Sequence, residues 1–236
     1  MRFAITTFLL VAIGYLPNSL EAQAPARASE VPKLSGIWTR GGRGTDPGEL
    51  ALNKRAIALR DAIDEPLAGM YDCVPATLPH ILGDPYNFQL EQKADRIIQT
   101  FEKDAVVRTI WLDGHGHHAA RPLDFALQGY STGRYEGSQL VVETTRFTFD
   151  AGGLEDKPPM VPSSTRKKVT ERYSLKGDHL IVEASIEDPM FLLKPARFTF
   201  DFQPTREALV EWPECDSEQA SEVLTYIPED QLKYGR

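Results

Sequence analysis

Asp113-Gly-His-Gly-His-His118 gathers three of the chain's five histidines and one carboxylate into six consecutive residues. Imidazole nitrogens take zinc and similar divalent ions, which makes His115, His117 and His118 the candidate metal ligands. An imidazole also titrates near neutral pH, so His117 or His115 is a candidate general acid or base. The cluster lacks the His-Glu-x-x-His spacing that would name a metalloenzyme. No other cofactor is implied by any motif.

A loop of this kind needs strands to carry it. Arg108 to Leu112 precedes it with strand-like residues, and Tyr130 to Glu136 and Gln139 to Phe147 follow, flanking the two-residue hairpin signal Gly137-Ser138. Lys168 to Leu175 and Leu180 to Glu187 flank a second such signal, Gly177-Asp178. A two-residue loop fixes register, so Tyr173 should oppose Val182 and Glu171 should oppose Ala184. Glu171 then falls on the apolar face, where a carboxylate is costly unless it is paired or wetted by a cavity.

Lys103-Asp104, read as a two-residue turn, places Ile97, Gln99, Phe101, Val106, Arg108 and Ile110 on one face. If that face is the core, Arg108 joins Glu171 as the polar floor of a small-molecule site. The other reading makes the glutamate the partner of a core arginine, with no ligand. Tyr173 shares the parity of Glu171, and Ser131 and Arg146 share the parity of Tyr135, Leu140 and Val142, which places them near the mouth. Arg134, Glu136 and Glu143 fall on the opposite, outward face, in reach of a salt bridge.

The N-terminus carries Arg2, an apolar run from Phe3 to Leu16, a breaker at Pro17 and the small-residue site Ala22-Gln-Ala24. That is the pattern of a secretory signal peptide over residues 1–24, too short to be a membrane span. A flexible leader over 25–33 and a single domain over 34–236 follow. Removing residues 1–24 takes away one base and one acid, so the net charge stays at −8. That balance disfavours nucleic acid and anionic membranes as partners. The expected location is the periplasm or the exterior, and there the two cysteines, Cys73 and Cys215, should pair.

One helix is expected over Glu49 to Ile63, with Leu52, Ala56, Leu59 and Ile63 at helical spacing, packed across the barrel. Prolines 66, 75, 79 and 85 keep the chain irregular up to Tyr86. Further strands run over Phe88 to Leu90, Arg96 to Phe101, Ala105 to Leu112, Arg197 to Phe202 and Ala208 to Trp212. With LSGIWT these make about nine or ten antiparallel strands without alternating helices, an all-β barrel closed to remove its edges.

The motifs LSGIWT, MYDCVP, RTIWLDG, GYSTGRYEGSQLVVET and IEDP together resemble a broad group of exported bacterial proteins with lipocalin-like barrels. The resemblance implies that fold over most of the chain, and it transfers no catalytic residue. The histidine cluster departs from the pattern, standing where an arginine is expected after Asp113-Gly114. The leading expectation is a barrel that holds a small, partly apolar ligand in its interior. The runner-up is a lyase, isomerase or hydrolase using the same pocket with His117 or His115 and Glu171, and a third is a structural domain with Arg108 and Glu171 locked together.

Overall fold

The structure, a computed structural model, describes residues 31–42, 44–63, 69–112, 124–211 and 215–222. Nine strands close into a barrel: β1 (Gly36–Arg40), β2 (Phe88–Gln92), β3 (Arg96–Phe101), β4 (Val107–Leu112), β5 (Tyr130–Glu136), β6 (Gln139–Thr145), β9 (Lys168–Lys176), β10 (His179–Glu187) and β11 (Ala196–Thr205). Between β6 and β9 the chain makes a separate two-stranded sheet, β7 (Asp150–Glu155) with β8 (Val161–Ser163). Around the ring the order is β1, β11, β10, β9, β6, β5, β4, β3, β2. This is an all-β lipocalin-like barrel.

A closed ring of nine strands cannot reverse direction at every step, because an odd number of reversals does not return to the starting sense. The exception falls at β4 and β5, which are parallel, with Ile110 beside Ser131 and Leu112 beside Gly133. The expectation of a wholly antiparallel barrel is corrected at this one seam.

The turns set the registers that alternation predicts. Gly137 and Gly177 hold positive φ of 65° and 66°, the left-handed backbone that such two-residue turns need. Glu171 stands opposite Ala184 and Tyr173 opposite Val182. The β3–β4 connection is a 3-10 turn, Lys103–Ala105, in place of a bare two-residue turn, yet Gln99 still opposes Arg108. The outward faces also behave as charge patterning implies, with Arg134 bridging Glu136 at 2.7 Å and Glu143 at 3.3 Å.

Inside, Phe88 packs edge-on against Phe202 at 4.8 Å, and Leu90, Ile97, Ile110, Leu140, Val182 and Ile186 fill the space around them. Each such side chain contributes about 1.5–3 kcal/mol by leaving water. At the start of β1, Trp38 is buried and its indole Nε1–H donates to the Leu34 carbonyl at 3.0 Å.

The predicted helix is shorter than its apolar pattern. It runs as α1 (Lys54–Ala62), because the Asn53 side chain accepts from the Ala56 amide and caps it there. Leu52 instead bridges to Leu192, and only Ala56 of the helix is buried. The helix packs beside β8. Residues 206–211 are not a strand, so the expected last strand over Ala208 to Trp212 is replaced by a longer β11, and Trp212 lies outside the described residues. A short second helix, α2 (Ser217–Glu222), packs on the 3-10 turn Gly69–Asp72. Cys73 and Cys215 are disulfide-bonded, and this bond holds the two segments together. No helix among the described residues is long and apolar enough to cross a membrane.

Candidate functional site

Strand alternation aims six polar side chains into the barrel: Gln99, Arg108, Ser131, Thr144, Glu171 and Tyr173 are all buried. Arg108 is their centre. Its Nη1 donates to Glu171 Oε1 and Gln99 Oε1, both at 3.1 Å, and its Nη2 donates to Glu171 Oε2 at 2.5 Å and Thr144 Oγ1 at 2.9 Å. Nε donates to Ser131 Oγ at 2.9 Å. A guanidinium has five N–H donors, so every one is used. Tyr173 donates its hydroxyl to Glu171 Oε1 at 2.8 Å, which closes the other side.

The electrostatics follow from this geometry. Burial works against the guanidinium charge, but Glu171 and Tyr173 beside it more than offset that, and Arg108 holds its proton above the ordinary arginine range. Burial first, and the Glu171 carboxylate second, push the Tyr173 phenol well above its usual range. The Gln99 Nε2 amide is the one member of the group with no hydrogen-bond partner. The sequence-predicted pair Arg108 and Glu171 is therefore brought together with Tyr173 and Ser131, and the arginine and the glutamate satisfy each other. Arg146 is not in the group; it is half-buried at φ 61°, its guanidinium 5.0 Å over the Tyr130 ring. Asp113, His115, His117 and His118 lie outside the described residues. Among the described residues no group of three or more His, Cys, Asp or Glu side chains could hold a metal ion.

A second buried polar node was not legible in the sequence. Lys167, in the turn before β9, is 1% exposed, and its ammonium donates to Thr77 Oγ1 at 2.9 Å and to the carbonyls of Leu78 and Gly153 at 3.3 Å. Thr77 in turn donates to Asp150 at 2.6 Å, and the ammonium lies 4.3 Å over the Phe147 ring. Burial lowers this lysine to about 8, with Asp150 and Asp188 pulling the other way. The node joins the irregular 77–79 segment to β7 and β9.

The open space lies next to this node, at one side of the barrel. A cleft of about 730 Å³ is walled by Leu50, Leu52 and Ile57 on one side and by the 155–161 segment on the other, with His80 and Phe198 also lining it. Arg60, Lys157 and Lys194 bring cations, and Asp46, Glu49, Glu155 and Asp156 bring carboxylates. The His80 ring stands edge-on to Phe198 at 5.5 Å, its Nδ1 3.9 Å from Asp156 Oδ1. Its Nε2 is buried without a partner. Burial lowers its pKa, so the imidazole is uncharged at neutral pH despite nearby Asp156. His80 follows Pro79 in a segment without periodicity, and so no alternation argument could place it.

No protein-family model matches the chain, and no curated protein matches it. Among solved structures the chain is similar to the wild-type fluorescent protein UnaG, with 12% identity and a TM-score of 0.32 over 72% of this chain and 96% of that one. It is also similar to an abundant heat soluble (SAHS) protein from Ramazzottius varieornatus, with 9% identity and a TM-score of 0.30 over 75% of this chain and 99% of that one. At this distance the likenesses bear on neither ligand nor chemistry.

Proposed function

We propose that this protein is an exported binding barrel that takes a small, partly apolar molecule in the cleft between α1, the 46–52 segment and the 155–161 segment. The observation that carries the reading is the 730 Å³ cleft with His80 on its wall, a size within the range of small-molecule sites, in which apolar side chains such as Leu50, Leu52, Ile57 and Phe198 stand among charged groups of both signs. The expectation placed the ligand against Arg108 and Glu171. Because those two groups already satisfy each other, we assign them to holding the barrel and move the ligand outward. Export is supported by the N-terminal apolar run and by the Cys73–Cys215 bond, which suits an oxidising compartment.

The test is a hydrophobic fluorophore, N-phenyl-1-naphthylamine, titrated into the folded protein. Ile57→Trp fills the cleft from α1, and binding should be lost in it while Phe125→Ala, which trims an exposed phenylalanine outside the cleft, binds as wild type does. Equal binding in wild type and Ile57→Trp would put the ligand elsewhere. The enzyme reading keeps one supporting observation, since an uncharged imidazole with a free nitrogen beside a carboxylate is the state a general base requires. On that reading His80→Gln would abolish turnover of a bound substrate without abolishing its binding.

A further inference from the structure

We propose that the cleft's ligand is an uncharged, polyhydroxylated amphiphile of glycoside type, its hydroxyl-bearing head in a second, smaller chamber and its apolar body in the main cleft. This rests on the reading of the cleft given above. The second chamber measures about 230 Å³, and it adjoins the first through Asp46, His80, Asp156, Lys157 and Phe198, which line both. The two spaces are thus one divided site, with the His80 ring on the partition.

The chamber's charges select the head. Arg40 and Lys157 line it together with Asp46, Asp84 and Asp156. A fixed anion would meet three carboxylates there, and a fixed cation would meet two bases. A hydroxyl suits both signs, because it donates to a carboxylate and accepts from a guanidinium or ammonium. The unpartnered Nε2 of His80, on a side chain only 9% exposed, adds a further neutral position. Burial raises the Asp84 carboxyl, with Lys103 at 3.5 Å only partly opposing.

Two aromatic side chains add an apolar element to the small chamber. Phe198 and Phe200 stack at 6.1 Å with an interplanar angle of 3°, and Phe200 lines the small chamber. Gly42 and Gly44, which also line the chamber, lie against the same strand, β11. A Cβ on Gly44 would sit 2.2 Å from the Thr199 carbonyl oxygen, so only glycine lets this segment lie directly against β11.

Three probes with one eight-carbon chain separate the outcomes: octyl β-D-glucoside, octanoate and octylammonium, each titrated calorimetrically below its micelle concentration into the full folded protein. The glucoside should bind about ten-fold or more tightly than either ion, and Asp84→Asn and Arg40→Leu should each weaken it about ten-fold, the loss expected for one hydrogen bond to a charged group. Melting curves confirm that both variants fold. Equal or tighter binding of octanoate or octylammonium overturns the ligand class and leaves the cleft standing. Glucoside affinity untouched by both variants overturns the small chamber as the head site. Binding by none of the three removes the cleft reading along with this one.

Discussion

Arg108 and Glu171 meet side-on in the barrel interior, with two parallel N–H···O contacts and no exposure to water worth the name: the side chains are 2% and 0% exposed. A pair so placed gains little net stability by existing, since both charges have left water, but it is expensive to break. Glu171→Gln should therefore cost about 3–5 kcal/mol in urea unfolding, because the Arg108 charge is left uncompensated. Replacing both, as Arg108→Met with Glu171→Leu, should cost less than the sum of the two single changes. Additive costs would show that the two side chains do not act as a pair.

Lys167 gives the protein an alkaline signature. Its folded pKa of about 8 lies below the ordinary lysine value, so the fold disfavours the charged form. The unfolded chain then binds more protons above about pH 8, and this group's contribution to stability is largest above the unfolded pKa and is lost as pH falls through the folded one. Wild type should gain stability relative to Lys167→Met between about pH 7.5 and 10. A wild type that gains nothing on the variant across that window would contradict the buried placement of the ammonium.

His80 makes the same argument on the acid side. Burial lowers it, so its contribution is present above about pH 6.5 and is lost as pH falls, when the unfolded histidine takes a proton that the folded one resists. His179 runs the opposite way, because its exposed ring is bonded to Asp201 at 2.6 Å and its pKa is raised. The wild-type pH curve therefore mixes two signs, and the difference from His80→Phe isolates one. On lowering pH from about 7.5 to 5, wild type should lose more stability than His80→Phe, and an equal loss would contradict the buried placement.

Thiol titration of the unfolded, unreduced chain should find no free thiol, with two appearing after reduction. Cys73 and Cys215 are 142 residues apart in sequence, and joining them removes much of the freedom of the unfolded chain. Cys73→Ser with Cys215→Ser should lower stability by about 2–5 kcal/mol. Two free thiols before reduction would rule the bond out.

Much of the barrel could be read from turns and alternation. Two residues of Gly-Asp between apolar runs were enough to put Glu171 opposite Ala184, and the same parity logic put Arg108 inward. That the two meet was one of two readings, because parity orders a face and does not say what fills the space before it. The parallel β4–β5 seam was invisible, since strand residues carry no mark of direction. His80 and Lys167 were missed for another reason. Both sit in proline-broken or turn segments, where burial comes from what folds over them and not from any period in their own neighbours.

The seam between β1 and β11, where Ile37 lies beside Thr205 and Arg40 beside Phe202, has a consequence for how the chain assembles. The first strand of the ring waits for the last, so no part of the chain can finish the barrel before nearly all of it is available. Contacts between such distant residues form late and slowly, because the intervening chain must already be in place. A chain that ends before Ala196 would leave β1 and β10 with open edges, the surfaces on which other chains pair and aggregate.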